Sequence, residues 1–178
     1  TGFHTDADAL VVASSVESLG AQRRDGAVAT EAVARWIEAQ DERRFFAFLH
    51  LYEPHAPYTP PPQHRDLPDP YDGVVAYADE LVGRLVARLH GRSLLDRVIL
   101  AVTSDHGEGL LDHGEQEHGF FLYREAVQVP LILRLPGARA AGRRVAGIVN
   151  QVDLPATLLD LAGLPHDGMD GASQRLAL

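Results

Sequence analysis

The chain has 178 residues, and its 16 basic side chains, all arginine, stand against 25 acidic ones for a formal net charge of −9. It contains no cysteine, which excludes a thiol nucleophile, a disulfide framework and a thiolate metal site. An isoelectric point near 5.4 without a basic run speaks against a nucleic-acid or anionic-membrane surface, and no stretch reaches the roughly 18 consecutive apolar residues of a membrane span.

Residues 1–24 form a mixed lead-in, with an apolar stretch at Leu10-Val-Val-Ala and a turn signal near Gly20. The chain opens on Thr1 without the basic and apolar regions of a signal peptide, so its compartment stays open. From Asp25, a plausible N-cap, Val28, Ala32, Val33, Trp36 and Ile37 recur at helical spacing, with the helix fading near Gln40-Asp41. The apolar, aromatic run Phe45 to Leu51 reads as a buried strand, and the proline-rich stretch from Glu53 to Pro70 reads as a long loop. Helical period returns from Tyr71 to about Leu95, with a core stripe of Val74, Val75, Ala78, Leu81, Val82, Leu85 and Leu89. Val98 to Thr103, Val129 to Arg134 and Arg144 to Val149 read as further strands, and Leu154 to Ala162 as a short helix stopped by Gly163. Strands alternating with helices imply an α/β fold with a largely parallel central sheet and helices on both faces.

Histidines gather where that fold would bind a ligand. Of nine, five (His50, His55, His106, His113, His118) fall at strand ends or in the loops that follow strands, the sheet edge where open α/β folds bind. Asp105 and His106 are adjacent before Gly107, which lets the backbone bend so that both face one point, a donor pair suited to a divalent cation. Each residue also admits a plainer reading. Asp105 fits a turn cap, His50 a core histidine bonded to backbone, and His55 and His113 solvated loop residues.

Three ordered blocks resemble the sulfatases of the alkaline phosphatase superfamily. The first is Phe45-Phe-Ala-Phe-Leu-His-Leu-Tyr-Glu-Pro-His-Ala-Pro-Tyr. The second runs Val102-Thr-Ser-Asp-His-Gly-Glu-Gly-Leu-Leu-Asp-His-Gly-Glu, then His118-Gly, Leu122-Tyr-Arg-Glu and Val129-Pro-Leu-Ile-Leu-Arg. The third is Val149-Asn-Gln-Val-Asp-Leu-Pro-Ala-Thr-Leu-Leu-Asp-Leu-Ala-Gly, followed by Asp170-Gly-Ala-Ser. The resemblance implies an alkaline-phosphatase-like fold and a sulfuric ester hydrolase acting on a small-molecule sulfate ester. It places Asp105 and His106 on a divalent metal, most often Ca2+ in sulfatases, with Mn2+, Mg2+ or Zn2+ in related enzymes. It places His55 on the sulfate, and His118 where members keep a Lys or His at the leaving oxygen.

One feature of the family is missing. Sulfatases attack with a formylglycine made from a Cys/Ser-x-Pro-x-Arg motif, and this chain has neither cysteine nor Ser-x-Pro-x-Arg. Residues 1–178 are therefore expected to be the middle and latter part of a catalytic domain, without its first strands, its nucleophile and the C-terminal subdomain, and to be inactive alone. A phosphoester or phosphonate hydrolase or a phosphoglycerol transferase of the same superfamily is the alternative chemistry. A non-catalytic interaction module is the alternative class.

Overall fold

In the computed structural model, which describes residues 25–40 and 43–177, the chain divides into two units, Thr1–Arg92 and Ser93–Leu178. The expectations for residues 1–24 and for Asp41 lie outside the described residues. The first unit is a helix pair. Helix α1 (Gly26–Glu38) starts where the Asp25 carboxylate accepts the Ala27 N–H at 2.8 Å, as the N-cap expectation requires. Helix α2 (Pro70–Gly91) starts with Asp69 accepting from Tyr71 N at 2.8 Å and with proline in the first turn, where its missing N–H costs nothing. It ends earlier than the apolar period suggests. Gly91 is the last helical residue, and Ser93 takes a left-handed backbone (φ 56°) that turns the chain away.

Val33, Ala34 and Ile37 of α1 and Val74, Leu81, Leu85 and Leu89 of α2 are buried, and Leu81 is fully so. Val33 and Ile37 lie four apart, as do Leu81, Leu85 and Leu89, with Val74 two turns before Leu81, which puts each set on one helix face. Val75, expected in the core stripe, is exposed, as is Val28 of the α1 period, and Ala34 is buried. Arg88 closes the outer side of the pair. Its guanidinium makes a two-pronged contact to Glu38 at 2.8 Å per prong and reaches Glu31 at 2.9 Å. The Arg88 hydrogen bond holds the Glu38 carboxyl below its ordinary range.

The proline-rich stretch lies against α2. His64 pairs with Glu80 at 2.7 Å, and Tyr58 meets the Tyr71 ring edge-on at 5.3 Å. A side chain at Gly73 would run into Pro60 and the His64 carbonyl, so the loop closes on α2 because that position is bare. The strand expected over residues 45–51 does not form. No ladder partner is present among the described residues, and Phe46 and Phe48 are exposed.

The second unit holds the only sheet among the described residues, a two-stranded one that does not show the expected parallel arrangement. Strand β1 (Leu100–Thr103) pairs antiparallel with β2 (Leu131–Arg134), Leu100 opposite Arg134 and Thr103 opposite Leu131. The physical reason lies in the connection. A parallel return needs a crossover of a dozen or more residues that packs on the sheet face. Here residues 104–130 hold a single helical turn, α3 (Arg124–Val127), and the chain comes back in the opposite direction. Arg144 to Val149 forms no strand either, and Ile148 is almost fully exposed.

Helix α4 (Asp153–Leu161) is terminated as expected. Gly163 is left-handed (φ 69°), Leu164 N donates to Leu159 O at 2.9 Å and Gly163 N to Asp160 O at 3.0 Å, the paired bonds of a Schellman cap. The segment after it folds back onto the helix start. The buried Asp153 carboxylate accepts from Ala172 N at 2.9 Å, and Gly171 lies so close to the Val152 carbonyl that no side chain fits.

Tyr77 supplies a test of the first unit. Burial, then its 3.0 Å hydrogen bond to the Asp25 carboxylate and the nearby negative charges, push its phenol up to about 12. A raised phenol favours the protonated form in the folded state. That contribution is full below about 10 and is lost as pH rises from 10 to about 12. Near-ultraviolet titration should show a tyrosine step centred near 12 that disappears in Tyr77→Phe.

Candidate functional site

Strand β1 ends at Thr103, whose hydroxyl donates to the Pro130 carbonyl at 2.9 Å, and the chain then enters Ser104-Asp105-His106-Gly107. The side-chain amide of Gln151 fixes this segment by donating to the backbone oxygens of Ser104 at 2.9 Å and Asp105 at 2.8 Å. The Ser104 hydroxyl donates to the His106 carbonyl at 2.7 Å. Backbone polar groups held at both ends leave the side chains of 105 and 106 as the part that faces outward. The Asp105 side chain is 76 % exposed.

His106 is held in one tautomer. Its Nδ1 lies 2.7 Å from the Gly107 carbonyl, and a carbonyl only accepts, so the proton sits on Nδ1 and Nε2 carries the lone pair. That Nε2 is 3.8 Å from Asp105 Oδ2. A carboxylate and an imidazole at this spacing are donor types suited to a divalent cation. No group of three or more His, Asp or Glu that could hold a metal occurs among the described residues.

His118 joins this pair. Its ring stacks on that of His106 with centroids 3.7 Å apart and planes 28° from parallel. Its Nδ1 donates to Glu108 Oε1 at 3.0 Å, and the Glu108 side chain is 6 % exposed. The chain brings His118 back by folding on itself. Gly109 N donates to Glu117 O and Leu111 N to Glu115 O, both at 2.9 Å. At the tip Leu110 and Leu111 have left-handed backbones (φ 46° and 68°), a conformation that costs a branched residue about 1–3 kcal/mol. The carboxylate of buried Glu115 holds the far side by accepting from Phe120 N at 2.8 Å.

Gly107 does not act as expected. It adopts no left-handed turn; its N–H donates to the Ala126 carbonyl at 2.8 Å, and a side chain there would collide with the Glu125 carbonyl. Its bareness serves close approach to α3. Behind it, His113 stacks on Tyr123 at 4.4 Å and pairs with Glu125 at 2.5 Å, and the Glu125 carboxyl sits below its ordinary range through its own backbone N–H and then His113.

His55 belongs to the first unit and is described within it. Its N–H donates to the Tyr52 carbonyl at 3.1 Å, its ring stacks on Tyr52 with centroids 4.5 Å apart, and its Nδ1 donates to the Ala56 carbonyl at 2.7 Å. His50 meets the other side of this small aromatic group, edge-on to Tyr52 at 6.2 Å. Sequence reasoning gave no role to Glu108, Gln151 or Glu115. The Glu108 signal was present, a carboxylate two residues beyond the Asp-His pair, whereas nothing local marks Gln151.

Three comparisons bear on this geometry. A family model described as Sulfatase matches residues 13–164. Human arylsulfatase K is 36% identical over 95 residues, 53% of this chain and 17% of that protein. The N-acetylglucosamine-6-O-sulfatase of Bacteroides thetaiotaomicron is 39% identical over 110 residues, 61% of this chain and 19% of that protein. The solved phosphonate monoester hydrolase from Silicibacter pomeroyi superposes with a TM-score of 0.69 at 25% identity, over 85% of this chain and 40% of that one, so the two share a fold. The matched stretch is less than a fifth of either curated relative.

The Gly107 contact yields a test with an internal control. Gly107→Ala should destabilise the chain by about 1–3 kcal/mol in urea unfolding, because the methyl meets backbone rather than a yielding side chain. Gly83→Ala, on α2 with no neighbour to meet, should stabilise it by about 0.5–1 kcal/mol.

Proposed function

The chain belongs to the sulfatase family, and from that membership we propose that it carries part of the site of a metal-dependent sulfuric ester hydrolase. The observation that carries this reading is the stacked His106–His118 pair beside Asp105, with His118 tied to buried Glu108. Asp105 Oδ2 and His106 Nε2 would hold the divalent cation, Ca2+ first and Mn2+, Mg2+ or Zn2+ as alternatives. Bound there, the cation supplies Lewis-acid polarisation of a sulfuryl oxygen.

The rest of the chemistry falls to the histidines. In its imidazolium form His118 offers two N–H groups, of which Nδ1–H donates to Glu108. The Nε2 proton is then the one passed to the ester oxygen as its bond to sulfur breaks, so the alcohol leaves neutral. His55, whose Nδ1 donates to the Ala56 carbonyl, would meet a sulfate oxygen through Nε2–H in its imidazolium form. No residue of the chain matches the Cys/Ser-x-Pro-x-Arg motif, so the nucleophile comes from outside these 178 residues. The chain is read as the middle and latter part of a catalytic domain. Its substrate is a small sulfate ester, consistent with the N-acetylglucosamine-6-O-sulfatase relative. A phosphonate or phosphoester monoester is the second reading, favoured by the likeness to the Silicibacter hydrolase.

Two measurements test the proposal. The 178-residue chain alone should not turn over 4-nitrophenyl sulfate; metal-dependent turnover abolished by Asp105→Ala would overturn the assignment of the nucleophile. In the enzyme that joins this segment to its nucleophile, His118→Ala should lower kcat by about 10²–10⁴-fold with little change in KM. An unchanged kcat would remove His118 from the leaving-group role. Faster hydrolysis of a phenyl phosphonate than of the sulfate would select the second reading.

A further inference from the structure

We infer that Glu53 is the positioning residue for His55, acting through a matched contact with Gly26 at the start of α1. The inference rests on the reading of His55 as a sulfate contact only for its catalytic consequence. Glu53 Oε1 accepts the Gly26 N–H at 2.5 Å, joining residues 27 apart in sequence. The first N–H groups of a helix lack intrahelical partners, and the positive end of the helix dipole favours a carboxylate there. Gly26 is itself buried, and a side chain at its position would overlap all three atoms of the Glu53 carboxylate group. The bare position and the carboxylate therefore fit as a pair.

What the contact holds is the two-residue step to His55. Pro54 intervenes, and its ring locks its own φ and restricts the residue before it. A rigid Glu53-Pro54 unit transmits the anchor to the turn, whose closing bond is His55 N to Tyr52 O at 3.1 Å. The His55 ring is then sandwiched by its own geometry, stacked on Tyr52 at 14° from parallel and bonded to Ala56 O. The second carboxylate oxygen of Glu53 is buried and has no hydrogen-bond partner among the described residues, so the Gly26 N–H is what holds the group in place.

The test reads His55 directly in the 178-residue chain by proton NMR, with the His55 ring signals identified by their loss in His55→Gln. Stacking on Tyr52 displaces these signals upfield. In Glu53→Ala at least half of the displacement should vanish, and Glu53→Gln, which still offers Gly26 N–H an acceptor oxygen, should restore it. Gly26→Ala, which forces the carboxylate out from the helix side, should repeat the loss and carries the test if Glu53→Ala does not fold. His55 signals unmoved in both Glu53→Ala and Gly26→Ala would overturn the inference. In the enzyme joined to its nucleophile, Glu53→Ala should lower kcat/KM by about a hundredfold, as a displaced substrate contact does. Loss of the displacement with kcat/KM unchanged would uphold Glu53 as the anchor and remove His55 from the sulfate.

Discussion

The N–H of Gly107 meets the Ala126 carbonyl at 2.8 Å, with no room for a side chain against the neighbouring Glu125 carbonyl, and the arrangement of the site follows from this contact. It ties the backbone immediately after His106 to α3. The chain between the two must then double back, and the bonds from Gly109 to Glu117 and from Leu111 to Glu115 are how it does so. His118 emerges from that return beside the His106 ring. The left-handed backbones of Leu110 and Leu111 are the local strain this route demands. The rings are thus set by backbone contacts, and the side-chain bonds to Glu108 and to the Gly107 carbonyl fix which nitrogen faces outward.

The same device recurs across the chain. Gly26 against Glu53, Gly73 against Pro60 and the His64 carbonyl, Gly109 against the Glu115 and Glu117 carbonyls, and Gly171 against the Val152 carbonyl are all places where a methyl group would collide. None of these has a positive φ. They work by letting chain segments approach, so that polar groups meet at hydrogen-bond distance where a packed side chain would hold them apart. Two of the close approaches hold buried carboxylate oxygens near helix starts: that of Glu53 at α1, and that of Asp153, whose carboxylate takes the Ala172 N–H beside Gly171. In each the carboxylate accepts a backbone N–H and so fixes a returning segment onto the helix.

The helices were legible in the sequence because their signals are local. Asp25 and Gly163 cap α1 and α4 as their residue types suggest, and the apolar period of α2 places Val74, Leu81, Leu85 and Leu89 in the core. Asp105, His106 and His118 were legible as a group through their resemblance to a family block, and they do come together. The antiparallel pairing of β1 with β2 was not legible, because alternating strands and helices carry no record of whether one connection crosses over; that is decided by residues 104–130, which hold one helical turn. The run 45–51 has the composition of a strand, yet composition does not supply a ladder partner. Gln151 was invisible for another reason. It lies 46 residues from the carbonyl it holds, and no local pattern distinguishes it from a surface glutamine.

That separation has a consequence for how the protein matures. The Asp105 backbone is made first, and the amide that holds it is made 46 residues later, just ahead of α4. Growth from the N-terminus therefore produces the Asp105-His106 step before it produces the clamp. While the ribosome is still adding the residues between them, the segment has its side chains and lacks the amide that fixes its backbone. Its final geometry waits for Gln151 to be made and to dock.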